Sequence, residues 1–439
     1  MGANPAQAYH TVLQKVYPLA LNANHTVTGY GSARVEAQDD ALLCIFHISQ
    51  ITNCPERFSF LGCFVTSCAV ELIVLVLFLL WFVMVIALTA AWQKSRRLVR
   101  PAGTVNNLLI SVVVPVRNEE KHLPHLLNDL LHQTRKPHEI IVTDDHSTDQ
   151  TRQLALQLAQ HHPCIKVLSL PEDRHGKKAA LQAAIERSSG QVIVTTDGDC
   201  RAGQHWLDTI SKHFADEQIK MVAGPVIFNT RTWFGRLLNI EQLALQAVAA
   251  ASSRYGHPLL CSGANMAFRK QVFDEVGGYQ GSAHLASGDD VFLLHKIRKL
   301  YPAGILFCTS PGCTVVTQPP ASLRTFLNQR IRWAGKWRLL GRNVQLLAAF
   351  VLIVQVIILC MPWMAMNWMI TLPSVLGLMG VKCILEGLLV FSVAQHLHSM
   401  FSVVHFSLAQ LIYPVYAVAV GLLSFRRKTV WKGRIISTR

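Results

Sequence analysis

From Leu72 to Trp92 the chain reads LIVLVLFLLWFVMVIALTAAW, 21 residues without a charge. That exceeds the roughly 18 apolar residues that mark a bilayer span, so a transmembrane helix is expected over 68–93. Lys94, Arg96, Arg97 and Arg100 follow it directly, whereas the 71 residues before it hold three basic residues and five acids. The positive-inside rule then puts the chain after residue 93 in the cytoplasm and makes residues 1–67 an extracytoplasmic segment. The run begins too far from Met1 to be a cleaved signal peptide.

A second apolar region covers 344–424, with Lys382 and Glu386 as the only charges between Leu346 and Ser424. Apolar blocks at 346–364, 369–391 and 400–423 suggest three spans. Lys382 and Glu386, four residues apart, share a helix face and can neutralise one another. The tail 425–439 carries six basic residues and no acid, which asks for the cytoplasmic side. Three crossings would leave that tail outside. An even number is therefore expected, with the stretch between Pro362 and Glu386 failing as a full span because Pro373, two glycines and the charged pair interrupt it.

Composition agrees with a membrane protein. Charged residues are 15% of the chain, against about 25% in soluble domains. The net charge of +15 gathers beside the apolar segments and not on an aromatic-rich face, which favours a membrane surface and argues against nucleic acid. Eleven cysteines without a CxxC pair give no zinc ribbon and no thioredoxin motif.

Residues 104–320 alternate between β-branched runs and helical spacing. LLISVVVPV (108–116), HEIIVTDD (138–145), CIKVLSL (164–170) and GQVIVTTDGD (190–199) read as buried parallel strands. Helices are expected at 119–133, 149–160 and 177–188. The class is α/β, a doubly wound sheet with its ligand at the carboxyl ends of the strands. Three acidic clusters fall at such ends or at a helix start: Asp144-Asp145, Asp197-Gly198-Asp199 and Asp289-Asp290. Ser147, Thr148 and Asp149 suit an N-cap, but capping does not explain two carboxylates at a strand mouth. A DxD triplet with a small middle residue turns two hard oxygen ligands one way, which suits Mg²⁺ or Mn²⁺ on a diphosphate.

In order the chain offers VVVPVRNEE, IIVTDDHSTD, HGKKAALQAAI, VTTDGDC, SGANMAFRK, EVGGY, SGDD and QRIRW. Over roughly 108–343 this resembles the family 2 glycosyltransferases of the GT-A fold, in the membrane-embedded branch of cellulose, chitin and hyaluronan synthases and ceramide glucosyltransferases. The resemblance implies a Rossmann-like nucleotide-sugar domain between transmembrane helices, with an amphipathic interfacial helix at 321–343 bearing the Q-x-x-R-W motif. It assigns Pro115, Arg117, Asp144 and Asp145 to the nucleoside of a UDP-sugar, and Asp197 and Asp199 to the metal. Lys177, Asp197, Gln329 and Arg332 fall on the donor, and Ser262, Gly263, Asn265 and Trp333 on a lipid or glycan acceptor. Asp290 is the implied general base, with Asp289 the alternative. Arg117 departs from the family, where an aromatic residue often precedes the asparagine. A processive polysaccharide synthase is the second enzymatic reading, and spans so few would need an oligomer or a partner subunit to make a secretion channel. A basic, membrane-anchored binding protein would be expected to have lost part of the motif set, and all of it is present.

Overall fold

The computed structural model describes residues 58–97, 107–281, 288–336, 339, 341–425, 428–431 and 434–437. The expected outer segment, apart from the start of its helix, lies outside these residues, as do Arg100 and, in the tail, Arg426, Arg427, Lys432 and Arg439. Val70–Arg439 forms one compact unit; of Met1–Ala69 only the opening of the first helix is described.

That helix, α1 (Phe58–Arg97), contains the long uncharged run. The α/β domain follows as β1 (Ile110–Val116), α2 (Leu123–Leu131), β2 (Glu139–Asp144), α3 (Thr151–His161), β3 (Ile165–Ser169), α4 (Lys177–Arg187) and β4 (Val192–Thr195). It continues through β5 (Arg201–Ala202), α5 (Trp206–His213), β6 (Met221–Ala223), β7 (Val226–Phe228), α6 (Trp233–Arg254), β8 (Met266–Arg269), α7 (Lys270–Glu275), α8 (Asp289–Leu300), β9 (Ile305–Phe307) and β10 (Val315–Thr317). Seven strands form one sheet in the order β3-β2-β1-β4-β8-β6-β9. β1 to β4 are parallel, β8 runs against both β4 and β6, and β9 is parallel to β6. The sheet is mixed, so the expected parallel half is extended by an antiparallel one.

Alternation along β1 shows why the sheet is buried on both faces. Val112 and Val114 pack with Leu123, Leu126, Leu127 and Leu130 of α2, while Val113 faces a second layer with Leu181 and Ile185 of α4. The chain winds from β1 through β2 to β3 on one side, and β4 returns to the other side of β1. Their carboxyl ends therefore open a crevice at the switch point.

After the domain come α9 (Leu323–Ala334), α10 (Arg342–Met366), α11 (Leu372–His396), α12 (Val403–Leu423) and a hairpin of β11 (Lys428–Trp431) and β12 (Arg434–Ser437). Helices α1, α10, α11 and α12 are each long and apolar enough to cross a membrane. Their outer faces carry exposed leucines, among them Leu72, Leu79 and Leu411.

The expectation that the block between Pro362 and Glu386 breaks is corrected: α11 is continuous for 25 residues. Pro373 stands in its first turn, where a missing N–H costs nothing. The charged pair is satisfied from other helices. Lys382 Nζ lies 2.9 Å from Glu386 Oε2 and 2.6 Å from Gln410 Oε1, and Trp81 Nε1 donates to Glu386 Oε1 at 2.8 Å. Helices α11 and α12 both pack on α6 of the domain. His405 near the start of α12 lies against Trp233 of α6 with tilted rings 5.0 Å apart, Tyr416 stacks on Phe326 of α9 at 5.3 Å, and β11 beyond the end of α12 packs against α9.

Candidate active site

The crevice at the β1/β4 switch point is an open cleft with a cavity of about 210 Å³. Every residue singled out in the sequence lines it except Asp144 and Asn265.

β1 delivers Pro115 and, one residue beyond the strand, Arg117, whose Nη1 donates to the carbonyls of Asp145 (2.7 Å) and His146 (3.2 Å). The guanidinium thus clamps the turn leaving β2. Both aspartates are buried, but only Asp145 lines the cleft; Asp144 Oδ2 accepts from the Ser147 N–H at 3.2 Å. Asp149 accepts from the backbone N–H groups of Thr151 (3.0 Å) and Glu120 (3.2 Å), bracing this turn against the loop after β1.

Asp197, Gly198 and Asp199 follow β4. A β-carbon on Gly198 would come within 3.0 Å of Val116 and 3.1 Å of Glu119, so glycine lets the acidic turn pass close under β1. Lys177, the first residue of α4, reaches across with Nζ 2.5 Å from Asp197 Oδ1 and 3.3 Å from Asp289 Oδ2. Burial opposes its charge, but Asp197 and Asp289 overcome that and hold its pKa well above the ordinary lysine value. Lys178 points elsewhere, over the Phe292 ring at 5.1 Å, and burial draws it down to about 8.

The two carboxylates opening α8 are in different situations. Asp289 is buried; burial raises its pKa, yet Lys177 and Lys336 together hold it below the usual carboxylate range. Asp290 is more open, accepts from the Val291 N–H at 2.7 Å and the Gly263 N–H at 3.3 Å, and faces Lys336 Nζ at 3.8 Å. Gly263 leaves room for this pair: a β-carbon there would lie 2.5 Å from Asp289 Oδ2. The Gly263 carbonyl accepts from Thr195 Oγ1 at 2.7 Å, which pins the loop to the end of β4. Asn265 does not face the cleft. Its amide donates to the carbonyls of Pro225 (2.8 Å) and Cys313 (2.7 Å) and accepts from Trp206 Nε1 (3.0 Å), so it is a buried brace between elements.

α9 closes the cleft with Gln329, Arg332 and Trp333. Arg330, between them, turns away into the protein. It pairs with Glu241 of α6 at 2.9 Å, donates to Gln329 Oε1 at 3.3 Å and lies 4.3 Å above the Trp333 ring. Glu241 also accepts from Tyr416 of α12 at 3.1 Å. Two charged cleft residues went unassigned in the sequence, Glu119 and Lys336. Glu119 directly follows Arg117-Asn118, and Lys336 stands four residues after Arg332, one helical turn on.

Residues 111–277 match the model of glycosyl transferase family 2. The glycosyltransferase AglE of Haloferax volcanii is 27% identical over 197 residues, 44% of this chain and 62% of that protein. The undecaprenyl-phosphate 4-deoxy-4-formamido-L-arabinose transferase of Pseudomonas paraeruginosa is 31% identical over 140 residues, 30% of this chain and 41% of its own length. The chain thus spans less than two thirds of either relative. Among solved structures, the mannosyltransferase PcManGT from Pyrobaculum calidifontis, in complex with GDP-Man and Mn²⁺, has a TM-score of 0.54 at 19% identity, covering 82% of this chain and 99% of that one. At that identity the likeness is one of fold, and the fold is GT-A.

Proposed function

We propose that the chain is a membrane-bound, inverting glycosyltransferase of family 2 that moves a sugar from a UDP-sugar to a lipid or saccharide acceptor at the cytoplasmic membrane face. One observation carries this reading: three acidic clusters and the Gln329–Trp333 motif, far apart in sequence, converge on one cleft at the switch point of the sheet. The family 2 match supports an enzyme over a binding protein. A relative named as an undecaprenyl-phosphate transferase supports a lipid acceptor over processive synthesis.

In this reading Pro115, Arg117 and Asp145 hold the nucleoside, a carboxylate being able to accept from the uracil N3–H. Asp197 and Asp199 present hard oxygen ligands from one tight turn, a donor set that fits Mg²⁺ or Mn²⁺. A cation held there would neutralise charge on the UDP leaving group. Lys177 and Arg332 add fixed positive charge beside the diphosphate. Asp290 takes the proton of the acceptor hydroxyl as its oxygen bonds to C1; the bond from C1 to the diphosphate oxygen breaks and its electron pair leaves with UDP. A single displacement inverts the anomeric centre. Asp289 is the poorer base, because Lys177 and Lys336 keep it from holding a proton. Trp333, Ser262 and Gly263 form the acceptor side, the indole offering a stacking face for a sugar.

Incubating the full chain in membranes with labelled UDP-sugars and Mn²⁺ tests this, and a lipid-extractable monoglycoside is the expected product. An insoluble polymer would turn the reading to a processive synthase, and failure to release UDP from any donor would remove it. Sidedness has its own test. Single reporter cysteines at Glu217, exposed on the domain, and at Thr438 are both expected to resist a membrane-impermeant maleimide until the membrane is opened. Labelling at Glu217 in intact cells would move the domain to the outer face; labelling at Thr438 alone would make α12 a third crossing.

A further inference from the structure

Where the chain leaves β2, Asp145, His146 and His175 bring three potential ligand atoms within 4.8 Å of one another. The two imidazole centroids are 4.6 Å apart. The transfer mechanism uses neither ring. The backbone at the first of them is specialised: His146 has a left-handed φ of 53°, a conformation uncommon for residues with a β-carbon. Arg117 holds that turn through the carbonyls of Asp145 and His146. His175 comes from the loop before α4, next to Gly176 at φ 94°.

His146 Nε2 lies 3.0 Å from the Arg174 carbonyl. A carbonyl can only accept, so Nε2 carries the proton and the Nδ1 lone pair is the one left to bind. Metal-ligating imidazoles are commonly held this way, with the second nitrogen donating to a backbone carbonyl. Two imidazoles and one carboxylate suit Zn²⁺ and its neighbours Co²⁺ and Ni²⁺, whereas Mg²⁺ prefers oxygen throughout. Ligand atoms about 2.1 Å from a tetrahedral ion stand roughly 3.4 Å apart, so closure needs movements of about 1 Å. His175 is exposed and His146 half-buried, which leaves both rings room to make them.

We propose that Asp145, His146 and His175 form a transition-metal site, distinct from Asp197 and Asp199, whose occupancy competes with the nucleotide donor. Competition follows because a metal that draws the Asp145 carboxylate toward the two imidazoles turns it away from the nucleoside; this part rests on the donor reading given above. With three protein ligands, the fourth position stays open to water.

The test uses the full chain in detergent with Co²⁺ as an optical probe and Zn²⁺ as its competitor. His175→Ala, and separately His146→Asn, are expected to weaken Co²⁺ binding by about tenfold or more, asparagine being chosen because it tolerates the left-handed backbone. In transfer assays with saturating Mg²⁺, Zn²⁺ is expected to raise the KM for UDP-sugar with little change in kcat. That inhibition should need about tenfold more Zn²⁺ in His175→Ala, whose turnover without Zn²⁺ stays near the wild-type value. Equal Co²⁺ binding by wild type and both variants would overturn the site. Co²⁺ binding that saturating UDP leaves unchanged would overturn the competition. UDP binding measured without any transition metal checks the donor reading separately, so the two failures can be told apart.

Discussion

Asp199→Asn is expected to cut sugar transfer by roughly 10²–10³-fold or more and to weaken metal-dependent UDP binding, the scale at which a lost electrostatic contact to a developing charge is felt. Asp199 lines the cleft directly after β4, and Gly198 lets the turn pass beneath Val116 and Glu119. An amide keeps the size of the side chain and removes its charge, so the fold should be retained while the cation loses a ligand. UDP titrations with and without Mn²⁺, alongside turnover, separate binding from chemistry. Near-normal turnover at saturating Mn²⁺ and Mg²⁺ would remove Asp197 and Asp199 as the metal site.

Asp290→Asn should behave differently, lowering kcat by roughly 10²-fold or more while the KM for UDP-sugar changes little, as for a lost general base. It accepts from the Val291 and Gly263 N–H groups and faces Lys336, and Gly263 lies on the side assigned to the acceptor. Asp289→Asn instead removes a partner of Lys177, and its effect should fall on donor binding. If Asp289→Asn loses turnover at unchanged KM and Asp290→Asn stays active, the two roles are exchanged.

The parallel half of the sheet was legible because β1, β2 and β4 are β-branched runs buried on both faces, and these runs and the edge strand β3 are separated by segments of helical spacing. β6, β8 and β9 were not: MVA, MAFR and ILF are as short as β4 but hold at most one β-branched residue each, where β4 is VIVT. In the cleft, a carboxylate at a strand end could be placed from the order of elements alone. Asp144 and Asp145 could not be separated that way, since the turn clamped by Arg117 decides which of them faces the cleft. Asn265 was misleading for a related reason: it adjoins the loop at Ser262 and Gly263, but its partners are Pro225, Cys313 and Trp206, dozens of residues away. The charged pair in α11 likewise has its further partners, Trp81 and Gln410, on other helices, which no local reading of Lys382 and Glu386 reveals.

The contact of Arg330 with Glu241, and of Glu241 with Tyr416, bears on which substitutions the apolar segment 403–423 can accept. Arg330 is almost wholly buried, and stranding such a charge by removing its partner costs about 3–5 kcal/mol. Tyr416 shares that carboxylate and packs on Phe326, while Leu411, Val415 and Leu422 on the same helix are exposed. An exchange among the exposed positions need only keep them apolar. At Tyr416 the side chain must also suit a carboxylate that orients the arginine between Gln329 and Trp333. A helix that hydropathy alone would treat as interchangeable anchor therefore has one face free to drift and one whose sequence is tied to the cleft at the sheet's switch point.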